Sequence, residues 1–132
     1  MAEALTPIRA VADHFGLPLS TLHYWERRGL IAPLRRAGGQ RWYDTDQLYR
    51  IALIKHWRET GLMGIEDVAA LLATGPGWQE AVTERLAEIE RRRAALDAAH
   101  AYLTHLLACP HETSPEDCPG FRERVDVPVA RP

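Results

Sequence analysis

Residues 22–33 read LHYWERRGLIAP and residues 35–48 read RRAGGQRWYDTDQL, and these two stretches decide the fold. The first predicts a short helix that Ser20 caps and that Gly29 ends, because glycine tolerates the left-handed backbone found after helices. The second carries Gly38 and Gly39 between short strand-forming runs, which is typical of a β-hairpin turn. Arginines flank this turn and aromatic residues follow it. Together these features predict a β-wing whose arginines contact phosphate. The alternative is a basic turn that is only solvated.

The segment before the first stretch predicts another short helix. Thr6 is suited to cap it and Pro7 to occupy its first position. Gly16 ends it, and its apolar residues recur at helical spacing: Ile8, Val11, Ala12 and Phe15. Two short helices around a tight glycine-containing turn predict a helix-turn-helix, with an ordinary helical hairpin as the alternative.

Downstream, two more helices are predicted, from Asp44 or Thr45 to Thr60 and from Ile65 to Ala73. Gly75, Pro76 and Gly77 then break the chain before a single long helix at about residues 78–108. Apolar residues recur along that helix in alternating steps of four and three, interrupted by Arg93 and His100: Val82, Leu86, Ile89, Leu96, Leu103 and Leu107. This coiled-coil period predicts a dimerisation seam with a partner chain, and packing back on its own domain is the alternative.

Charge is divided unevenly along the 132 residues. Residues 1–60 hold nine basic and six acidic groups, whereas residues 61–132 hold seven basic and twelve acidic groups. This asymmetry favours binding of phosphate by the cationic N-terminal half. The alternative is that the charges form ordinary solvated surfaces. The sequence has no apolar stretch long enough for a membrane span and no signal-peptide core, so we expect a cytoplasmic protein without membrane partners.

The ordered set of helix-turn-helix, arginine wing, helix pair and long helix, with the later RETGL at residues 58–62, resembles the MerR family of bacterial transcription regulators. The resemblance implies a mainly helical, all-α fold. A winged helix-turn-helix domain at residues 1–75 would carry a small β-hairpin wing, and an antiparallel coiled-coil dimerisation helix would follow at residues 76–108. It also implies a homodimer that binds double-stranded promoter DNA and, in response to an effector, distorts it so that RNA polymerase can engage.

The same resemblance implies a set of DNA-contacting residues on the recognition helix and the wing: Ser20, Thr21, His23, Tyr24, Arg27, Arg35, Arg36, Arg41 and Tyr43. Arginines would neutralise phosphates, while the hydroxyls and the His23 ring would reach base edges. His23, Trp25 and Gln40 depart from the residues common in the family. The arginines have an alternative role, because exposed arginines also cover apolar surface or pair with Glu26 and Glu59.

The C-terminal segment, residues 109–132, is expected to be an effector-type loop and a mobile tail. Cys109 and Cys118 resemble the paired cysteines of copper-sensing members, although the intervening loop is one residue longer here. Cu(I) would suit two thiolates, and Zn(II) is the alternative if His105 or His111 joins them. Three alternatives stay open: a reversible disulfide, cysteines with no effector role, and a small organic ligand held by aromatic residues such as Trp57, Trp78 and Tyr102.

Two other classes of protein are weighed against a regulator. An enzyme is not expected, because the sequence shows no nucleophile–base pair or carboxylate pair in a recognisable frame. An adaptor that uses the long helix to bind a different chain, without reading DNA, is the second alternative.

Overall fold

Six helices and a small sheet form the part of the chain that the computed structural model describes, residues 4–109, 112 and 114–129. The chain divides after Val82 into two units. The first contains strands β1 (Thr6–Pro7), β2 (Arg35–Ala37) and β3 (Gln40–Tyr43), with helices α1 (Ile8–Phe15), α2 (Leu19–Arg27), α3 (Thr45–Glu59) and α4 (Ile65–Ala73). Helix α5 (Trp78–Leu107) runs across the division, and helix α6 (Pro119–Arg124) follows in the second unit.

The sheet is antiparallel in the order β1-β3-β2. The predicted hairpin is confirmed: Ala37 pairs with Gln40 across Gly38 and Gly39, whose φ angles are 61° and 74°. Both glycines therefore adopt the positive φ that a two-residue hairpin turn requires. Strand β1 was not predicted from the sequence. Its Thr6 pairs with Tyr43 of β3, and Pro7 stands at the N-cap of α1, so the predicted role of Thr6 as a helix cap is wrong.

The caps of the first two helices also differ from the prediction. Pro7 and Pro18 precede α1 and α2, and neither helix has a side-chain hydrogen bond at its N-cap. Ser20 lies inside α2 and does not cap it. Proline supplies an extended residue directly before each helix, which starts the helix without a capping oxygen.

Helices α3 and α4 begin and end close to the predicted residues. Asp44 caps α3, since its Oδ1 accepts a hydrogen bond of 2.9 Å from the Gln47 N–H. Helix α5 also matches the expected bounds. The predicted loop and tail after it are corrected, because a 3₁₀ turn (Pro115–Asp117) and α6 lie within that segment.

The first unit has a buried apolar core that its helices and strand β3 share. The largest fully buried side chains come from α1, α2, β3, α3 and α4: Val11, Leu22, Tyr43, Ile51, Ile54 and Val68. The start of α5 belongs to this core, since Ala81 and Val82 pack against it. This packing explains why the chain divides after Val82, although a domain boundary at residue 75 was expected.

Candidate nucleic-acid interface

Helix α2 has one buried face and one accessible face. Leu22 and Trp25 lie in the core at 0% and 4% exposure. Of the predicted contact residues on this helix, Ser20, Tyr24 and Arg27 are exposed, and Thr21 and His23 are half-buried. The Arg27 guanidinium lies over the Tyr24 ring, 5.8 Å from its centroid. The structure therefore brings these five predicted residues together on one accessible helix.

The wing presents its arginines at neighbouring positions of one hairpin. Arg36 pairs in register with Arg41, and Arg35 pairs with Trp42. Because side chains alternate across a strand, Arg35 and Arg36 point to opposite faces of the sheet. Arg35 is exposed and forms no ion pair with any described residue. Its charge is therefore available to a phosphate.

Arg36 and Arg41 are bound instead by a carboxylate of helix α2. One oxygen of Glu26 accepts a hydrogen bond of 2.6 Å from Arg36, and the other accepts one of 2.5 Å from Arg41. Burial alone would raise the pKa of Glu26, but the hydrogen bonds and charges of the two arginines outweigh it and hold the pKa below its usual value. Glu26 is ionised at neutral pH and links helix α2 to both strands of the hairpin.

Tyr43 does not belong to the accessible surface. Its side chain is fully buried in the core, so the predicted DNA contact by Tyr43 is wrong for the fold as it stands. Burial is the main cause that raises the pKa of this phenol above its usual value. The nearby negative charge of Glu26 raises it further. The side chain supports the base of the wing through packing.

Three further contacts hold helix α2 and the segment after it in place. Arg28, just past the end of α2, pairs with Glu66 of α4, and Arg50 of α3 donates to the Leu30 carbonyl. The Ala32 N–H also donates to the Gln47 side chain at 2.9 Å. Sequence reasoning missed these contacts, because their partners are separated by 15 to 38 residues and no local pattern marks them.

The second unit carries the two cysteines. The Cys109 and Cys118 sulfur atoms lie 4.0 Å apart, and both residues are half-buried. Backbone N–H donation from Phe121 is the main cause that holds the pKa of Cys118 below its usual value. The Gly120 N–H, the Cys109 thiol and the Arg124 charge act in the same direction, and burial opposes them. The Cys118 thiol therefore loses its proton more readily than an unperturbed cysteine does.

A small cleft of about 250 Å³ adjoins the thiols. Its lining includes both cysteines and His105, together with Tyr102, Leu106 and Phe121. No group of three metal-ligating side chains occurs among the residues that the structure describes, and His111 lies outside them. The described part of this segment therefore brings two metal-ligating side chains, the Cys109 and Cys118 thiols, to within 4.0 Å of each other.

The predicted seam of helix α5 is largely uncovered. Leu86, Leu96, Leu103 and Leu107 are 57%, 69%, 56% and 90% exposed. Ile89 is half-buried, and Val82 packs against the core of the first unit. The surface of α5 also carries ion pairs: Glu88 pairs with Arg91 and Arg92, and Glu90 pairs with Arg93.

Among the described residues, no helix combines the length and apolar character that crossing a bilayer requires.

Comparison with known proteins identifies the family. Residues 6–74 match the model of the MerR HTH family of regulatory proteins, and residues 48–106 match the model "MerR, DNA binding". The HTH-type transcriptional regulator CueR of Salmonella typhimurium is 31% identical over 121 residues, which are 85% of this chain and 86% of that protein.

Solved structures give the same fold. The lead(II) complex of the transcription regulator PbrR691 from Ralstonia metallidurans has a TM-score of 0.68 at 20% identity, covering 89% of this chain and 98% of that one. HiNmlR bound to promoter DNA, described as a MerR family regulator lacking the sensor domain, has a TM-score of 0.51 at 21% identity and covers 80% of each chain. The resemblance inferred from the sequence is thereby confirmed: this chain belongs to the MerR family of helix-turn-helix, DNA-binding transcriptional regulators.

Proposed function

We propose that this regulator binds a promoter as a homodimer, with helix α2 reading base edges and the wing contacting phosphate. The observations that carry this proposal are the accessible face of α2 and the exposed Arg35 of the wing, which forms no ion pair with any described residue. The exposed leucines of α5 support dimerisation, since burying them requires a second chain. A homodimer of this kind would act in the cytoplasm and would distort the promoter for RNA polymerase, as the family resemblance implies.

Selection of duplexes from a randomised library with the purified protein tests the proposal. We expect enrichment of a near-palindromic site, because a two-fold symmetric dimer reads two related half-sites. Affinity for that duplex should fall steeply with salt as phosphate contacts release counterions. Failure to enrich any sequence would overturn sequence-specific binding.

Two substitutions separate phosphate contact from base readout. Arg35→Ala should weaken binding to the enriched duplex and to a scrambled duplex by the same factor, and it should reduce the salt slope by about one. His23→Ala should instead change which bases are enriched. Unchanged binding by Arg35→Ala would remove the wing from the interface.

For the effector, we propose a soft monovalent metal ion of the Cu(I) type, held by Cys109 and Cys118. The two sulfur atoms are 4.0 Å apart, somewhat less than twice a metal–thiolate bond of about 2.3 Å, so a small separation of the thiols would admit an ion between them. Thiolates are the ligands that Cu(I) prefers. Zn(II) usually takes four ligands, and the described residues supply no third ligand beside the thiols.

A bound ion would tie the end of α5 to the segment before α6. Thiolate ligands must lose their protons, and the N–H groups of Phe121 and Gly120 favour this at Cys118. A monovalent ion would offset one of the two thiolate charges and leave the site with a net charge of −1. The cleft beside the thiols lies just below the range of about 300–1,000 Å³ that is typical of drug-sized ligands, and an ion held between the thiols needs no such volume.

Elemental analysis of protein purified under reducing conditions, followed by anaerobic Cu(I) titration, tests the ion. We expect one ion per chain in the native protein and none in Cys109→Ser or Cys118→Ser. Ser114→Ala, a nearby change outside the thiol pair, should bind normally. A native protein without bound metal, together with promoter output unaffected by either Cys→Ser change, would exclude the metal effector. A Cys109–Cys118 disulfide in native protein, detected by mass spectrometry, would favour thiol oxidation.

A further inference from the structure

Glu26 occupies an unusual place between the reading helix and the wing. It is the penultimate residue of α2, yet its two carboxylate oxygens bind one arginine from each of the neighbouring strands, Arg36 of β2 and Arg41 of β3. Its side chain is only 15% exposed. A carboxylate bound on both oxygens by two guanidinium groups resists rotation, because turning it breaks both hydrogen bonds.

The two arginines are not equivalent. Arg41 is 27% exposed, whereas Arg36 is 63% exposed. Arg41 bonds through its Nε, near the base of the guanidinium, and this holds the group against α2. Arg36 bonds through a terminal nitrogen and keeps most of its surface in solvent. Arg41 is thus committed to Glu26, while Arg36 can bond to Glu26 and still face a phosphate.

We propose that Glu26 and Arg41 are positioning residues for sequence readout: together they fix the angle between helix α2 and the wing, and Arg41 makes no phosphate contact. The wing cations that meet DNA are then Arg35 and Arg36. This inference rests on the DNA interface proposed above. It assigns Arg41 to geometry, whereas the resemblance assigned it to DNA contact.

The test measures binding to the library-enriched duplex and to a scrambled duplex of equal length, across a series of salt concentrations. Arg41→Gln should reduce the ratio of specific to non-specific affinity by about five- to tenfold, the size expected when a coupled network is broken. The salt slope should not change, since no phosphate contact is lost. Arg41→Lys should fail to restore the ratio, because an ammonium group lacks the fixed guanidinium geometry.

Glu26→Gln should reduce the ratio to a similar extent, and the double variant Glu26→Gln with Arg41→Gln should lose little more. Glu80→Gln, the same change at an exposed position in the first turn of α5, is the matched control and should leave the ratio unchanged. Thermal unfolding should show every variant folded at the binding temperature. If Glu26→Gln fails this condition, the Arg41 pair alone decides the question.

Three results would overturn the inference. The first is Arg41→Gln weakening both duplexes equally with a salt slope reduced by about one. The second is recovery of binding by Arg41→Lys, which a charge contact would allow. The third is Glu26→Gln behaving as Glu80→Gln does. Failure to enrich any duplex would instead count against the proposed DNA interface, so the two failures are distinguishable.

Discussion

At the scale of single residues, Tyr43 combines complete burial with a hydroxyl that has no hydrogen-bond partner among the described residues. An unsatisfied buried hydroxyl costs free energy, while the ring contributes apolar burial. We expect Tyr43→Phe to leave the free energy of unfolding unchanged or raise it by up to about 1 kcal/mol. Urea unfolding at neutral pH measures this.

Tyr43→Ala is the matched control, because it removes the ring as well as the hydroxyl. It should lower the free energy of unfolding by about 3–5 kcal/mol, as deletion of a large buried ring does. A loss of more than about 1 kcal/mol in Tyr43→Phe would show that the hydroxyl is satisfied in solution.

Glu26 makes the free energy of unfolding depend on pH. Its pKa is lower in the folded chain than its usual value, so its contribution is present above the unfolded pKa of about 4.3 and is lost as the pH falls through the folded pKa. We expect Glu26→Gln to lower the free energy of unfolding by about 2 kcal/mol at pH 7. That gap should shrink as the pH is lowered below about 4.

Urea titrations of both proteins from neutral to acidic pH measure the gap. The Glu80→Gln variant should stay within about 1 kcal/mol of the wild-type protein throughout, the most that an exposed carboxylate in a first helical turn contributes. A gap between Glu26→Gln and wild type that stays constant into acid would contradict the assignment of Glu26 as an ionised, doubly paired carboxylate.

At the scale of elements, the wing depends on the backbone of its turn. Gly38 and Gly39 both have positive φ, and a Cβ atom at either position would meet no heavy atom within 4 Å. The cost of a substitution is therefore conformational and not steric. We expect Gly39→Ala to lower the free energy of unfolding by about 1 kcal/mol.

Gly39→Asn is the comparison, since asparagine tolerates the left-handed region better than alanine. It should cost clearly less than Gly39→Ala in the same chemical unfolding assay. Equal costs for the two would mean that the turn gains or loses stability through contacts and not through its backbone conformation.

At the scale of the whole molecule, the exposed seam of α5 is expected to hold two copies together. Leu96 lies near the middle of the seam and is 69% exposed in the single chain. Leu96→Glu would place a charge where an apolar side chain is buried, and a lost leucine is worth about 2 kcal/mol per chain. We expect the dimer to weaken by about 100-fold or more, measured by sedimentation or light scattering.

Ala98→Glu is the control, because residue 98 lies on the opposite side of α5 from the 93, 96 and 100 positions. It should leave the dimer intact. A wild-type protein that sediments as a monomer at micromolar concentration would instead favour the adaptor alternative. Without a dimer, nothing would hold two copies of helix α2 at a fixed spacing along a duplex.

Much of the fold follows from short-range sequence signals. Helices α3, α4 and α5 occupy the residues that caps, glycines and apolar period predict, because each of these signals acts within about one helical turn. The hairpin at Gly38 and Gly39 has the same origin. The accessible face of α2 was also predictable, since the family motif and the helical period coincide there.

The order and bounds of these elements, the glycine turn and the apolar stripe of α5 were thus determined by the sequence alone, through local geometry. Tertiary structure decided the rest: the β1 strand against Tyr43, the burial of that phenol, and the placement of Glu26 between Arg36 and Arg41. These depend on residues 10 to 37 positions apart meeting in space, which only the packing of one element on another can arrange.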